Sequence, residues 1–356
     1  MTNKEVAELA GVSSAAVSRF LNGGYLSEEK RERIAAAIEQ TGYVPSANAR
    51  ILRLKKSDTV GIILTKSDEA TLSGVTAGLE KYLFAAGYGA SLAYVSDEEN
   101  SDFNAMRSML ERQIDGIVLI SSAPVPGNLD LFERARVPVV IVGQHARNQN
   151  CVRFDNFGAA YDLASSLGCS MESRVAYIDA GKRYRSFGSD RRKGFLAGLE
   201  RAGVPKDRIT VVTGGFSVDE GYYATKKLLA TRTDFTHIAC ATDAMAAGAI
   251  KAVRERLGIS RRGKGPIISG FGNDPILQAV AGPLPTVRYD YEECGIKAAE
   301  IMVDLLKGEV KSVASMVLGY EVVGVYRGLS KSLRIPRATT ISHLTKCAFF
   351  FSCIGM

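Results

Sequence analysis

Residues 1–22 read MTNKEVAELAGVSSAAVSRFLN, and the fold of the N-terminal end follows from this stretch. Thr2 followed by Glu5 is the pattern of a capping box, in which each side chain satisfies an otherwise orphaned backbone N–H at a helix start. A first helix is predicted from Asn3 to about Ala10. Gly11 supplies a residue free to take positive φ at the helix end, Val12 is apolar, and Ser13 caps a second helix from Ser14 to about Leu21. Val6, Leu9, Val12, Val17, Phe20 and Leu21 fall at spacings that let the two helices share one small core. The residues left outside it, Ser13, Ser14, Ala15, Ser18, Arg19 and Asn22, are short or cationic, as a helix entering a DNA major groove requires. The outline is a helix-turn-helix.

Ser27 is placed to cap a third helix whose first turn carries Glu28 and Glu29, matched to the positive end of the helix dipole. Ile34, Ala35 and Ile38 give it an apolar face, Thr41-Gly42 ends it, and Pro45 closes the unit, so a head domain is expected over residues 1–45. The next segment, SANARILRLKK, carries Arg50, Arg53, Lys55 and Lys56 with no acid. Isolated helices shorter than about 12 residues are marginal in water, so residues 46–57 are expected to be disordered alone and to order on their target.

The chain has 356 residues, 46% hydrophobic and 23% charged, a globular composition long enough for two or three domains. Its charge is unevenly spread. Residues 1–57 hold 9 Lys+Arg against 6 Asp+Glu, residues 331–356 hold 4 against 0, and residues 58–330 balance at 32 against 32. A neutral body with a basic head implies that only the head meets a polyanion. No apolar run approaches the roughly 18 residues of a membrane span, and the start lacks a signal-peptide pattern, so a cytoplasmic protein is expected. Cys151, Cys169, Cys240, Cys294, Cys347 and Cys353 form no CxxC pairs, and His145, His237 and His343 are too dispersed for a metal site. The sequence contains no GxxxxGK[ST], no GxGxxG opening a helix after a strand, and no GxSxG, so no catalyst and no cofactor are assigned.

From Asp58 onward apolar strands alternate with amphipathic helices. Strands are predicted at 60–64, 89–95, 115–120, 137–142, 174–178, 236–241 and 266–271, and helices near 73–86, 104–113, 128–134, 158–166, 190–202, 219–231, 245–257 and 292–306. Continuous Val/Ile runs separated by helices mark parallel sheets covered on both faces, so an α/β body of two doubly wound subdomains is expected over residues 58–334. Residues 335–356, with Phe349, Phe350 and Phe351 beside two cysteines, form an atypical tail that is either aberrant or folded back onto the body.

The strings KEVAELAGVSSAAVSRFLNG, LSEEKRERI and GYVPSANARIL, in this order and spacing, resemble the lactose-repressor (LacI/GalR) family of bacterial regulators. In the body, IDGIVL, GQ, RRKGF, ATDAMAAGA and ISGFGN follow the same family, and the segments around ATDAMAAGA are similar to its sucrose/trehalose repressor branch. The resemblance implies a DNA-binding head, a hinge helix over 46–57 and a periplasmic-binding-protein-like core. It places Ser14 and Ala15 at the family's operator-reading pair and Arg19 at a base-contacting arginine, with phosphate contact alone as the other reading. Arg50 lies in the hinge, and Leu52 matches a leucine wedged into the minor groove, a role that Ile51 or Leu54 would also suit.

In the body the resemblance implies an effector between the subdomains. Arg191 matches an arginine that binds ligand hydroxyls or carboxylate, or else is a solvated helix-start residue. Arg185 belongs to a basic loop cluster that either receives an anion or is solvated. Phe216 is a stacking platform or a core residue. Asp155 and Asp243 end strands at the cleft edge, with helix capping as the other role of Asp243. Thr71, Leu72 and Ser73 form the opposite wall. Gly272 stands where many family members carry an acid, and Asn273 or Asp274 would substitute for it.

The expected protein is a DNA-associated homodimer that reads a pseudo-palindromic operator and represses carbohydrate-utilisation genes under a sugar or sugar-phosphate effector. The rival expectations are a sugar-binding module and an α/β enzyme with a vestigial head.

Overall fold

The computed structural model describes residues 2–43, 56–65, 69–95, 101–121, 137–146, 148–181, 185–258, 265–309, 312–325 and 339–340. The hinge positions Arg50 and Leu52, the expected helix near 128–134, Cys347, Cys353, His343 and nearly all of the tail lie outside these residues.

At the N-terminus the capping chemistry operates as the residue pattern predicts. Thr2 Oγ1 accepts the Glu5 N–H at 3.3 Å and Glu5 Oε2 accepts the Thr2 N–H at 2.7 Å, which starts α1 (Asn3–Leu9). Gly11 turns the chain at φ +62°, and Ser13 Oγ accepts the Ala16 N–H at 3.3 Å to open α2 (Ser14–Leu21). Helix α3 (Glu28–Thr41) ends at Gly42 in the left-handed conformation. Ser27 occupies its N-cap position but makes no capping hydrogen bond with its side chain. Val6, Ala7, Ala10, Ala16, Val17, Leu26, Ile34 and Ala37 form the core of the three helices, flanked by Val12, Phe20, Leu21 and Ile38. Two expectations are corrected: Leu9 is 51% exposed, and Ala35 faces solvent. Ala10, at the C-cap of α1, and Ala37 on α3 are buried in their place, small residues that let three short helices approach closely.

The body begins with β1 (Thr59–Leu64), α4 (Glu69–Ala85), β2 (Gly89–Tyr94), α5 (Ser101–Glu111), β3 (Gly116–Ile120), β4 (Val139–Val142) and β5 (Asn150–Phe154). It continues with α6 (Asn156–Ser166), β6 (Val175–Asp179), α7 (Arg185–Arg201), β7 (Ile209–Thr213), α8 (Val218–Thr231), β8 (His237–Cys240), α9 (Asp243–Leu257) and β9 (Ile267–Ser269). The last elements are α10 (Pro275–Ala281), β10 (Thr286–Arg288), α11 (Tyr291–Lys307), β11 (Ser315–Leu318), β12 (Glu321–Val323) and β13 (Thr339–Thr340).

A seven-stranded sheet has the order β13-β11-β5-β4-β3-β1-β2 and a four-stranded sheet the order β7-β6-β8-β9. Every pairing in both is parallel except β11 with β13. The inner strands β3, β4, β6 and β8 are buried at every residue, as unbroken apolar runs under helices on both faces require. All seven strands read from the sequence are present. The strands that were missed are short or polar: β5 (NCVRF), the edge strand β7 (ITVVT), β11, and β10 and β12, which pair with each other antiparallel. Two residues of the atypical tail, Thr339 and Thr340, pair with β11.

Chain passage between the sheets positions the site. The chain leaves the first sheet at the carboxyl end of β5, returns between β10 and α11, and crosses a third time between β11 and β12. These passages are tied together: the Asp155 N–H donates to Leu318 O at 3.2 Å, and Tyr320 Oη donates to Asp162 Oδ2 at 2.7 Å. Helices pack by close backbone approach at two motif glycines. A Cβ on Gly194 of RRKGF would lie 2.1 Å from Phe157 O on α6, and one on Gly248 of ATDAMAAGA would lie 2.0 Å from Val218 O on α8. Cys151, Cys240 and Cys294 are buried within the apolar interior, and Cys169 is half-buried.

Candidate functional site

The head presents one face of α2. Its buried side carries Ala16 and Val17, so Ser14, Ala15, Arg19 and Asn22 are left exposed and Ser18 half-buried along the opposite side. Ser13 spends its acceptor on the α2 cap, while Asn22 Nδ2 donates to Ser18 O. Gly24 donates its N–H to Arg19 O at 2.8 Å, and a Cβ there would come within 3.3 Å of the same oxygen. The turn after α2 therefore folds against the backbone of Arg19 and leaves its side chain outward. This face offers one guanidinium for bidentate contact among small groups that let a duplex approach.

In the body, the sequence-predicted residues cluster at the carboxyl ends of strands, where open α/β sheets bind ligands. Arg191 is 8% exposed, so it is not a solvated residue like its exposed neighbours Arg192 and Lys193. Its Nε donates to Asn156 Oδ1 at 2.9 Å and its Nη1 to Ala241 O at 2.7 Å. The guanidinium lies over the rings of Phe271, at 4.8 Å from the centroid, and Tyr289, at 5.6 Å. Tyr289 Oη donates to the same Asn156 oxygen at 3.1 Å. Burial pushes the Tyr289 hydroxyl up to about 12, against the opposing effect of the Arg191 charge. Phe154 packs on Tyr289 at 4.4 Å between centroids, so Arg191, the first crossing at Asn156 and the second at Tyr289 form one contiguous cluster.

Asp243 lies beside this cluster, and its N–H donates to Phe271 O at 2.9 Å. It does not cap α9; Thr242 does, by accepting the Met245 N–H. Asp243 Oδ1 accepts the Thr286 hydroxyl and Oδ2 the Asp274 N–H, each at 2.7 Å, and the residue is buried. Its carboxylate holds the loop after β9 against β10. Asp274 caps α10 through the Leu277 N–H at 2.7 Å. Asn273 takes a left-handed φ of +54° and donates its N–H to Thr286 Oγ1 at 3.3 Å. Gly272 has φ +134°, and a Cβ there would lie 3.7 Å from Asp243 Oδ2, so an acid at this position would face a like charge.

Asp155 caps α6, with Oδ1 accepting the Gly158 N–H at 2.9 Å. Phe216 is buried in the main apolar cluster, and its N–H donates to Glu220 Oε2 at 2.8 Å. Arg185 begins α7, with its side chain outside the described residues. Thr71, Leu72 and Ser73 occupy the first turns of α4, after β1 of the first sheet. Sequence reading missed Asn156, Phe271, Thr286 and Tyr289. Asn156 stands next to Asp155, Phe271 ends the strand predicted at 266–271, and Thr286 and Tyr289 lie in or beside the three-residue strand β10, which carries no periodic signal.

His237, 6% exposed, engages Thr236 Oγ1 at 2.8 Å and Leu167 O at 3.2 Å; burial lowers its pKa. Its place is structural.

Residues 2–46 match the family model described as bacterial regulatory proteins, lacI family, and residues 57–317 match the model described as periplasmic binding proteins and sugar binding domain of LacI family. The HTH-type transcriptional repressor PurR of Actinobacillus pleuropneumoniae serotype 3 (strain JL03) is 27% identical over 309 residues, covering 86% of this chain and 91% of that protein. The sucrose operon repressor of Staphylococcus xylosus is 24% identical over 307 residues, covering 86% and 94%. The crystal structure of the lac repressor dimer bound to operator and the anti-inducer ONPF superposes with a TM-score of 0.79 at 22% identity, covering 91% of this chain and 97% of that one. With a capped helix-turn-helix head and a two-sheet body that both match, the chain belongs to the LacI family of bacterial regulatory proteins, and is a DNA-binding transcriptional regulator rather than an enzyme.

Proposed function

We propose that this regulator is a cytoplasmic, homodimeric repressor of carbohydrate-utilisation genes, controlled by a sugar or sugar phosphate held between the two sheets. The observation that carries the effector reading is the buried Arg191 guanidinium, aligned by Asn156, Ala241, Phe271 and Tyr289 at the carboxyl ends of β6 and β8. A fixed guanidinium suits the hydroxyl, carboxylate or phosphate oxygens of a small polar ligand. The absence of an acid at Gly272 and the engagement of Asp243 by its own chain favour an anionic ligand over a neutral one. Likeness to a sucrose operon repressor supports the carbohydrate class.

The domain organisation is a head over 1–45, a hinge over 46–57 with Arg50 and Leu52 in contact with DNA, a body over 58–334, and the tail beyond. Dimerisation is supported by apolar side chains at the uncovered edge of the first sheet: Leu92 and Tyr94 on β2 are 54% and 65% exposed, and Phe84 at the end of α4 is 82% exposed. Two heads on one dimer read the two halves of a pseudo-palindrome. Ligand acts by binding the DNA-competent and incompetent arrangements of the body with different affinity.

The test is a thermal-shift series with glucose, sucrose, glucose 6-phosphate and sucrose 6-phosphate, repeated with Arg191→Ala. A sugar or sugar phosphate is expected to raise the melting temperature of the parent and not of the variant. An undiminished response in the variant removes Arg191 from the site. Sedimentation of Leu92→Asp with Tyr94→Asp is expected to show monomer, and an intact dimer removes β2 from the interface.

A further inference from the structure

Where the basic segment joins the body, two successive backbone N–H groups converge on one carboxylate. The Ser57 N–H donates to Asp115 Oδ1 at 3.0 Å and the Asp58 N–H to Asp115 Oδ2 at 2.7 Å. Asp58 has φ +51°, in the left-handed region, and this conformation turns adjacent N–H groups toward a common point that suits an anion. The acceptor is itself held on three sides. Gln113, two residues past the end of α5, has φ +58°, Ile114 is buried, and the Asp115 N–H donates to Thr59 O at 2.9 Å. Asp58 O accepts the Gly89 N–H at 2.8 Å, so the junction is stitched to the entrances of β1, β2 and β3 together.

The turn is fastened to the first sheet by five hydrogen bonds, two of them to the Asp115 carboxylate. It therefore sets the direction in which residues before Ser57 leave the body. We propose that Asp115 is a positioning residue for DNA binding, acting through Ser57 and Asp58 to hand the placement of the first sheet on to the basic segment and the head. The proposal rests on the DNA-binding role of the head.

The substitution Asp115→Asn leaves one carbonyl acceptor and sets an NH2 donor against the second backbone N–H. The full-length parent and variant are compared on a DNA duplex selected by the parent from a random pool, with amide hydrogen exchange followed in both. Binding of a selected duplex by the parent tests the DNA-binding role separately. The expected result is exchange accelerated at Ser57 and Asp58 with β1 and β3 still protected, and operator affinity weakened by about tenfold or more. Operator affinity equal to that of the parent overturns the proposal. So does exchange accelerated throughout β1 and β3 with a lowered melting temperature, because Asp115 would then only brace the sheet.

Discussion

Asn156 and Tyr289 are expected to be energetically coupled in a double-mutant cycle. A single oxygen, Asn156 Oδ1, accepts from Arg191 Nε at 2.9 Å and from Tyr289 Oη at 3.1 Å, and all three residues are buried. Asn156→Ala removes that acceptor and leaves two buried donors, one of them charged. Stranding a buried donor costs about 1–3 kcal/mol. The remaining Arg191 bond to Ala241 O at 2.7 Å persists, so the combined loss is placed at about 2–5 kcal/mol. Tyr289→Phe in the parent removes the bond to Asn156 and the contact with Arg191, and costs about 1–2 kcal/mol. In the Asn156→Ala background the hydroxyl has already lost that acceptor and keeps only its contact with Arg191, so the same change is expected to cost less than in the parent. The coupling energy, read from urea unfolding of the four proteins, is then about 1 kcal/mol. Tyr289→Phe costing the same in both backgrounds would refute the shared acceptor, and an Asn156→Ala effect below about 0.5 kcal/mol would refute its burial cost.

Three further outcomes follow from the geometry. Gly194→Ala sets a methyl 2.1 Å from Phe157 O and is expected to cost about 1–3 kcal/mol by forcing α6 and α7 apart, visible as a lowered melting temperature; an unchanged one argues against close backbone packing. Arg19→Ala is expected to weaken specific operator binding by about 1–3 kcal/mol while non-specific binding changes little. Equal weakening on both DNAs, together with a reduced salt slope, would assign Arg19 to phosphate contact. Because burial raises the Tyr289 pKa from 10.0 to about 12, the folded protein keeps a proton that the unfolded chain releases. Its contribution to stability is whole below pH 10.0 and is lost as pH rises through about 12. Alkaline melting curves should flatten across that range in Tyr289→Phe, and an identical pH dependence of the two proteins contradicts the burial.

Much of the head was legible because its signals are local. Thr2, Glu5, Gly11 and Ser13 act within three or four residues along the chain, and each takes the predicted role in the folded head. Leu9 and Ala35 were misassigned because helical periodicity gives a stripe about 100° wide or more, and contact with the other two helices decides which flank of it is buried. In the body, Arg191 was legible from the RRKGF string, yet its partners were not. Asn156 lies 35 residues before Arg191, and Tyr289 lies 133 residues after Asn156, on the two crossings. Asp243 was legible as a strand-end acid, but Thr286, which takes up one of its oxygens, lies on a three-residue strand with no pattern of its own.

The sequence alone therefore determined the capped helical head, the alternation that yields two parallel sheets, and the family to which both belong. These depend on propensity, capping and hydrophobic period, which are written in neighbouring residues. Tertiary structure decided what the polar residues do. Asp243 and Asp155 became internal braces, Phe216 became core, and Arg191 was set among two aromatic rings and a shared amide oxygen. The role of a polar side chain depends on which distant donors and acceptors three chain crossings bring within about 3 Å, and no local period encodes that distance.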